Sequence, residues 1–175
     1  AAQALDGTSS TTFNAIDISK TAQTLSVNTN ATAASVSFSS GASTLSIASG
    51  ITLNITGALT QNSVTGSTVA SNISGLGTIN AGSMAIGTIV TPTTAATTTL
   101  TSTVSTLTVT GNVNIRSNRP AATANNAVFV ITSGIATIGG VITPVTGNNA
   151  GSTATLTLGN SSPTLLVSNA APFGA

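Results

Sequence analysis

The chain has no cysteine, histidine, tyrosine or tryptophan, and its acidic residues are two aspartates. Each absence excludes something. Without cysteine there is no disulfide framework and no thiolate metal site. General acid–base catalysis needs a proton-moving side chain beside the reacting group. Only Asp6, Asp17 and Lys20 qualify, all near the start of the sequence. The many Ser and Thr hydroxyls lack the neighbouring base that would make one a nucleophile. Two separated carboxylates are too few for a calcium cage. The expectation is therefore a protein that is not an enzyme, with no catalytic residues, no cofactor and no metal.

Charge is almost as scarce. From Thr21 to Ile115, and again after Arg119, there is no charged residue. Charged residues make up 3% of the chain, against about a quarter of an ordinary soluble domain. The cations are Lys20, Arg116 and Arg119, and four Phe are the whole aromatic content. A nucleic-acid interface needs several phosphate-neutralising cations and stacking aromatics, so no nucleic-acid partner is expected. Arg116 and Arg119, just before Pro120, read as a solvated loop. No apolar run approaches the roughly 18 residues of a membrane helix. The aromatic girdles of a membrane β-barrel cannot be built without Trp or Tyr. No membrane embedding is expected. A surface this neutral lacks the repulsion that keeps copies apart, so the partner it predicts is another copy of itself.

What the chain does have is Thr (35) and Ser (24), which together are a third of its 175 residues. Apolar residues make up 40%, which separates it from apolar-poor, highly charged disordered chains. The two classes alternate. Leu25 and Val27 lie between Ser and Asn, Val36 and Phe38 between serines, and Ile51, Leu53 and Ile55 between Thr52, Asn54 and Thr56. Leu107 and Val109, and later Leu156 and Leu158, repeat the pattern among threonines. Period two with β-branched residues is the half-buried strand signature. No helical stripe is present. Val128–Ile131 is continuously apolar and predicts a strand buried on both faces.

Turn formers separate the strands: Ser49-Gly50, Gly57, Gly75, Gly77, Gly111-Asn112 and Gly159-Asn160. The fold class is all-β, either a parallel β-helix-like solenoid or an antiparallel β-sandwich or jelly roll. The Thr-rich tract Thr91–Thr103 reads as a loop or irregular edge, and Pro120–Asn126 as a long loop. Residues 1–20 hold most of the charge and few strand signals. They are expected to form an arm or extended segment able to reach a neighbour, and residues 21–175 a single β domain.

Four Asn-x-Ser/Thr sequons are candidate glycosylation acceptors: Asn30, Asn54, Asn72 and Asn160. Thr-x-Thr pairs recur at Thr99/Thr101, Thr106/Thr108/Thr110 and Thr153/Thr155/Thr157, resembling the flat arrays of ice-binding solenoids. The opening Ala1-Ala2-Gln3-Ala4 is like the small-residue surroundings of a signal-peptidase cut, which predicts a secreted, extracellular or cell-surface product.

The stretch from Gly41 through Thr44-Leu45-Ser46-Ile47, Gly50 and Leu53-Asn54-Ile55 to Gly57 consists of short T-L-x-I strands closed by a small turn ending in Gly. It resembles the rungs of parallel β-helix passengers in autotransporter and filamentous-haemagglutinin-like surface proteins. The Thr/Asn/Gly-rich remainder resembles large rickettsial-type surface antigens. The resemblance implies a secreted, stacked solenoid on the bacterial exterior. The uncharged surface, the strand content, the secretion-like start and the missing catalytic groups predict a structural subunit of an extracellular self-assembling filament, pilus-like fibre or surface layer, associating through β-edge or donated-strand contacts. The alternative is an adhesin or carbohydrate-binding surface domain with host or surface glycans as partners. Phe13, Phe38, Phe129 and Phe173 are the side chains able to stack on a sugar.

Stability follows from the same composition. With no histidine or cysteine, no side-chain type that ordinarily titrates between pH 5 and 9 is present. Urea unfolding followed by circular dichroism should give stabilities within about 1 kcal/mol of each other across that pH range, and across salt, since both dependences act through ionisable groups. A steep loss at either end of the range would contradict this.

Overall fold

A computed structural model describes residues 2–39, 41–64, 67–87, 96–117, 125–146, 151–170 and 173. Their regular structure is eighteen strands with no helix. All pairings between these strands are parallel. An antiparallel sandwich is thereby set aside, and the chain is a β-solenoid. Scattered Ala among Ser, Thr and Gly offers too little helix propensity to compete.

The chain winds over three faces. The first is a seven-stranded sheet of β1 (Gln3–Leu5), β4 (Thr24–Val27), β7 (Thr44–Ile47), β9 (Val69–Gly75), β11 (Ala96–Ser102), β14 (Asn125–Ile131) and β17 (Thr153–Leu158). The second stacks β2 (Thr11–Phe13), β5 (Ala31–Ala33), the first half of β8 (Thr52–Gln61), the first half of β10 (Thr78–Ile86), β12 (Thr106–Val109), β15 (Ile135–Ile138) and β18 (Thr164–Val167). The third stacks β3 (Ile16–Ile18), β6 (Val36–Phe38), the second halves of β8 and β10, β13 (Val113–Ser117) and β16 (Ile142–Thr146).

In-register pairing turns the period-two pattern into columns. Leu53, Ile79, Leu107, Ala136 and Leu165 follow one another up the interior of the second face. Thr32, Asn54, Asn80, Thr108 and Thr137 follow one another up its exterior. The enclosed core is mostly apolar in its middle rungs, with Phe38, Leu45, Ile73, Ile79, Ile86 and Leu100 at 0% exposure and Gln61, Ser71, Thr98 and Ser102 buried among such residues. Burying each such side chain contributes about 1.5–3 kcal/mol.

Three sequence expectations change. Residues 2–20 are the first rung rather than a free arm, since β1, β2 and β3 pair in register with β4, β5 and β6. The tract from Thr91 becomes strand β11 from Ala96 onward, with Thr98, Leu100 and Ser102 turned inward; its earlier residues lie outside the described ones. Val128–Ile131 is not buried on both faces. Only Phe129 and Ile131 point in, and Val128 and Val130 stand half-buried on the outer surface, where neutral neighbours make an apolar side chain tolerable. Of the Pro120–Asn126 loop, Asn125 and Asn126 open β14, and the rest lies outside the described residues.

The second and third faces meet without a loop. β8 passes through this corner at Gly57, and β10 at Gly82, where its register shifts. Successive backbones come close together: Gly57 N–H donates to the Ala34 carbonyl at 2.9 Å, Gly111 N–H to Gly82 at 2.8 Å and Gly140 N–H to Gly111 at 3.0 Å. A Cβ on Gly111 would sit 2.5 Å from the Gly82 carbonyl oxygen, and one on Gly82 would sit 2.5 Å from that of Thr56. Glycine is needed here for clearance, whatever its dihedral freedom. Gly111→Val should cost about 3 kcal/mol of stability by forced displacement of packed backbone. Thr108→Val, on the outer surface three residues before Gly111, should stay within about 0.5 kcal/mol of the parent. Equal stabilities in urea denaturation would refute the clearance argument.

Candidate functional site

The residues singled out for chemistry are dispersed by the fold. Asp6 accepts a hydrogen bond from Asn28 Nδ2 at 2.7 Å, and Asp17 accepts one from Ser37 Oγ at 2.9 Å. Each carboxylate is thus tied to the next rung, Asp6 beyond the first face and Asp17 on the third. Among the described residues no three metal-ligating side chains cluster, and no helix is long and apolar enough to cross a membrane. Arg116 projects half-buried from β13; Arg119 lies outside the described residues. Phe38 and Phe129 belong to the core, while Phe13 is half-buried in the first rung and Phe173 is exposed in the last. The Thr-x-Thr pairs do not form one array. Thr106 and Thr108 lie on the second face, whereas Thr99 and Thr155 lie on the first with Val128 between them in register.

The four sequon asparagines are all exposed. Two are structurally engaged. Asn30 Oδ1 accepts from the Thr52 N–H at 2.8 Å, and Asn54 Oδ1 accepts from Asn80 Nδ2 at 2.8 Å.

Two surfaces stand out instead. One is the pair of open ends. In the first rung Leu5, Phe13 and Ile16 turn inward yet are only half-buried, and with Gln3 and Leu25 they line a cavity of about 290 Å³. In the last, Leu158 pairs in register with buried Ile131 but is itself 51% exposed. Leu156, Leu165 and Val167 are only partly buried there. The third-face end differs: β16 carries Pro144, and Phe173 bridges to Ile142. Proline blunts an edge, so β17 and β18 are the open ones.

The other surface is a groove outside the glycine corner. A cleft of about 440 Å³ runs across several rungs here. Its lining includes Thr32, Asn54 and Asn80 from the second face and Thr56, Gly82 and Thr110 at the corner.

Sequence reasoning missed an inward-facing polar network between the third and first faces. Buried Asn125 accepts from the Ala96 N–H at 2.9 Å through Oδ1, and its own N–H donates to Ser152 Oγ at 3.2 Å. Thr98 Oγ1 donates to Ser63 Oγ at 2.9 Å. Gln61 Oε1 and Ser71 Oγ are buried with no hydrogen-bond partner among the described residues. The only sequence signal is the strand alternation itself, which puts Asn125 in phase with Ala127 and Phe129.

No protein-family model, curated protein or solved structure matches the chain. What these surfaces do must therefore be argued from their geometry.

Asn125→Ala would leave a buried backbone N–H unpaired, which costs about 1–3 kcal/mol. Asn126→Ala, whose side chain faces outward to Thr153, should cost about 0.5 kcal/mol or less. Thermal or urea unfolding of the two variants distinguishes them.

Proposed function

We propose that the chain is a structural subunit of an extracellular filament, fibre or surface layer, assembled by stacking solenoids end to end through their strand edges. The carrying observation is the exposed apolar inward face of the last described rung. Inward Leu158 is 51% exposed, whereas Ile131, its partner one rung in, is 1% exposed. An open parallel edge offers a row of unpaired main-chain groups to a second copy. β17 and β18 at one end match β1 and β2 at the other in direction, as all strands of both faces run parallel. Head-to-tail stacking of this kind does not close on itself, so it propagates into a polymer.

Neutral flanks support the same reading. Side-by-side packing of such filaments meets no charge repulsion along the second face, whose exterior is Thr and Asn with Ile135 and Leu166 near its end. Building a durable layer requires no catalytic group, and the chain's chemistry offers little else.

Electron microscopy of the purified chain at high concentration should show unbranched fibres or sheets. Leu158→Lys, which sets a charge at the end edge while its stem still covers apolar surface, should leave monomers in analytical ultracentrifugation. Leu76→Lys, on the flank at 75% exposure, should still assemble. A wild-type chain that stays monomeric sinks the proposal.

A further inference from the structure

We propose that the groove at the glycine corner binds a neutral oligosaccharide laid along the solenoid axis. The groove lies at the fold's tightest constraint, the corner where Gly82 must be glycine to let backbones pass, and has a volume of about 440 Å³. That volume falls within the range of about 300–1,000 Å³ for small-molecule clefts, and an open trough suits a chain better than a compact molecule.

The side of the trough is a polar ladder. Thr32, Asn54 and Asn80 occupy one outward column, one residue per rung. Rungs repeat about every 4.8 Å, close to the rise of one sugar ring in an extended chain, so successive rings meet equivalent groups. The 2.8 Å bond from Asn80 Nδ2 to Asn54 Oδ1 fixes both amides in orientation. It leaves the Asn54 NH₂ as donor and the Asn80 oxygen as acceptor. Donor and acceptor a rung apart match the hydroxyls of neighbouring sugar rings. Gly82, with no side chain, lines the same groove and lets the C–H face of a ring approach the backbone, while the Thr110 hydroxyl is engaged by the Ala81 and Gly82 carbonyls at 3.4 Å.

Other ligand classes fit less well. The described charged residues, Asp6, Asp17, Lys20 and Arg116, are not among the groove's lining, so nothing there selects a phosphate, sulfate or uronate. A peptide strand finds no free edge, because the strands flanking the groove are paired on both sides. This site is independent of the end-to-end contact and stands or falls separately from it.

Saturation-transfer difference NMR tests the assignment, since it reads bound sugar protons whether the protein is monomeric or assembled. The probes are cellotetraose, chitotetraose and maltotetraose, with a heparin-derived tetrasaccharide as the anionic comparison. At least one neutral probe should give transfer with a dissociation constant of about 1 mM, the affinity of a shallow site worth about −4 kcal/mol. The double variant Asn54→Ala/Asn80→Ala, checked for native circular dichroism, should weaken it at least about tenfold, equivalent to about 1.4 kcal/mol. Phe173→Ala should leave it unchanged. The proposal is overturned if no neutral probe gives transfer at about 10 mM. It is equally overturned if the heparin fragment binds as well, if the double variant binds like the parent, or if Phe173→Ala abolishes the signal.

Discussion

Each interior rung of this molecule is held by main-chain hydrogen bonds to the rung before and the rung after. No rung encloses a core by itself, because each contributes only one layer of inward side chains. Repeat architectures of this kind derive stability from neighbour interfaces, and the register of the ladder then decides everything else. It stacks Leu on Ile inside and Thr on Asn outside, and it brings Gly57, Gly82 and Gly111 into one corner column.

How much of this could be read beforehand depends on where the period is clean. Leu45-Ser46-Ile47 and Leu53-Asn54-Ile55 announce strands because alternation and closing glycines coincide. Thr97–Thr101 do not, since a β-branched polar residue satisfies either side of a strand and hides which way it faces. Val128–Val130 mislead in the opposite sense, as an apolar residue on a neutral outer face costs little. Gly57 looks like a turn residue in the sequence. In the fold it and Gly82 lie within strands, and their requirement comes from a carbonyl one rung away, a long-range contact that no local pattern encodes. The candidate surfaces were legible only in outline: neutrality pointed to self-association, but the groove depends on that same non-local corner.

Spacing also varies along the axis. Thr29 reaches back 20 residues to Ser9, while Ala96 reaches forward 29 to Asn125. Later rungs are therefore longer, with strands of seven residues on the first face where β4 and β7 have four. The wider rungs hold the inward polar network of Thr98, Asn125 and Ser152. Short rungs close over a mostly apolar interior, with Thr29 and Ser43 buried near its edges, and longer ones have room for more hydrogen-bonded groups that specify register where apolar packing is permissive.

The direction of the ladder has a mechanical consequence. Hydrogen bonds between rungs lie along the solenoid axis, so tension applied at the two ends of the chain pulls each strand off its neighbour in turn. Load is then carried by a few bonds at a time, as in opening a zip, and never by a whole sheet in shear. Extension should proceed in steps of one rung, each releasing some 20 to 29 residues of slack, with the remaining rungs intact and ready to re-form the edge when tension falls.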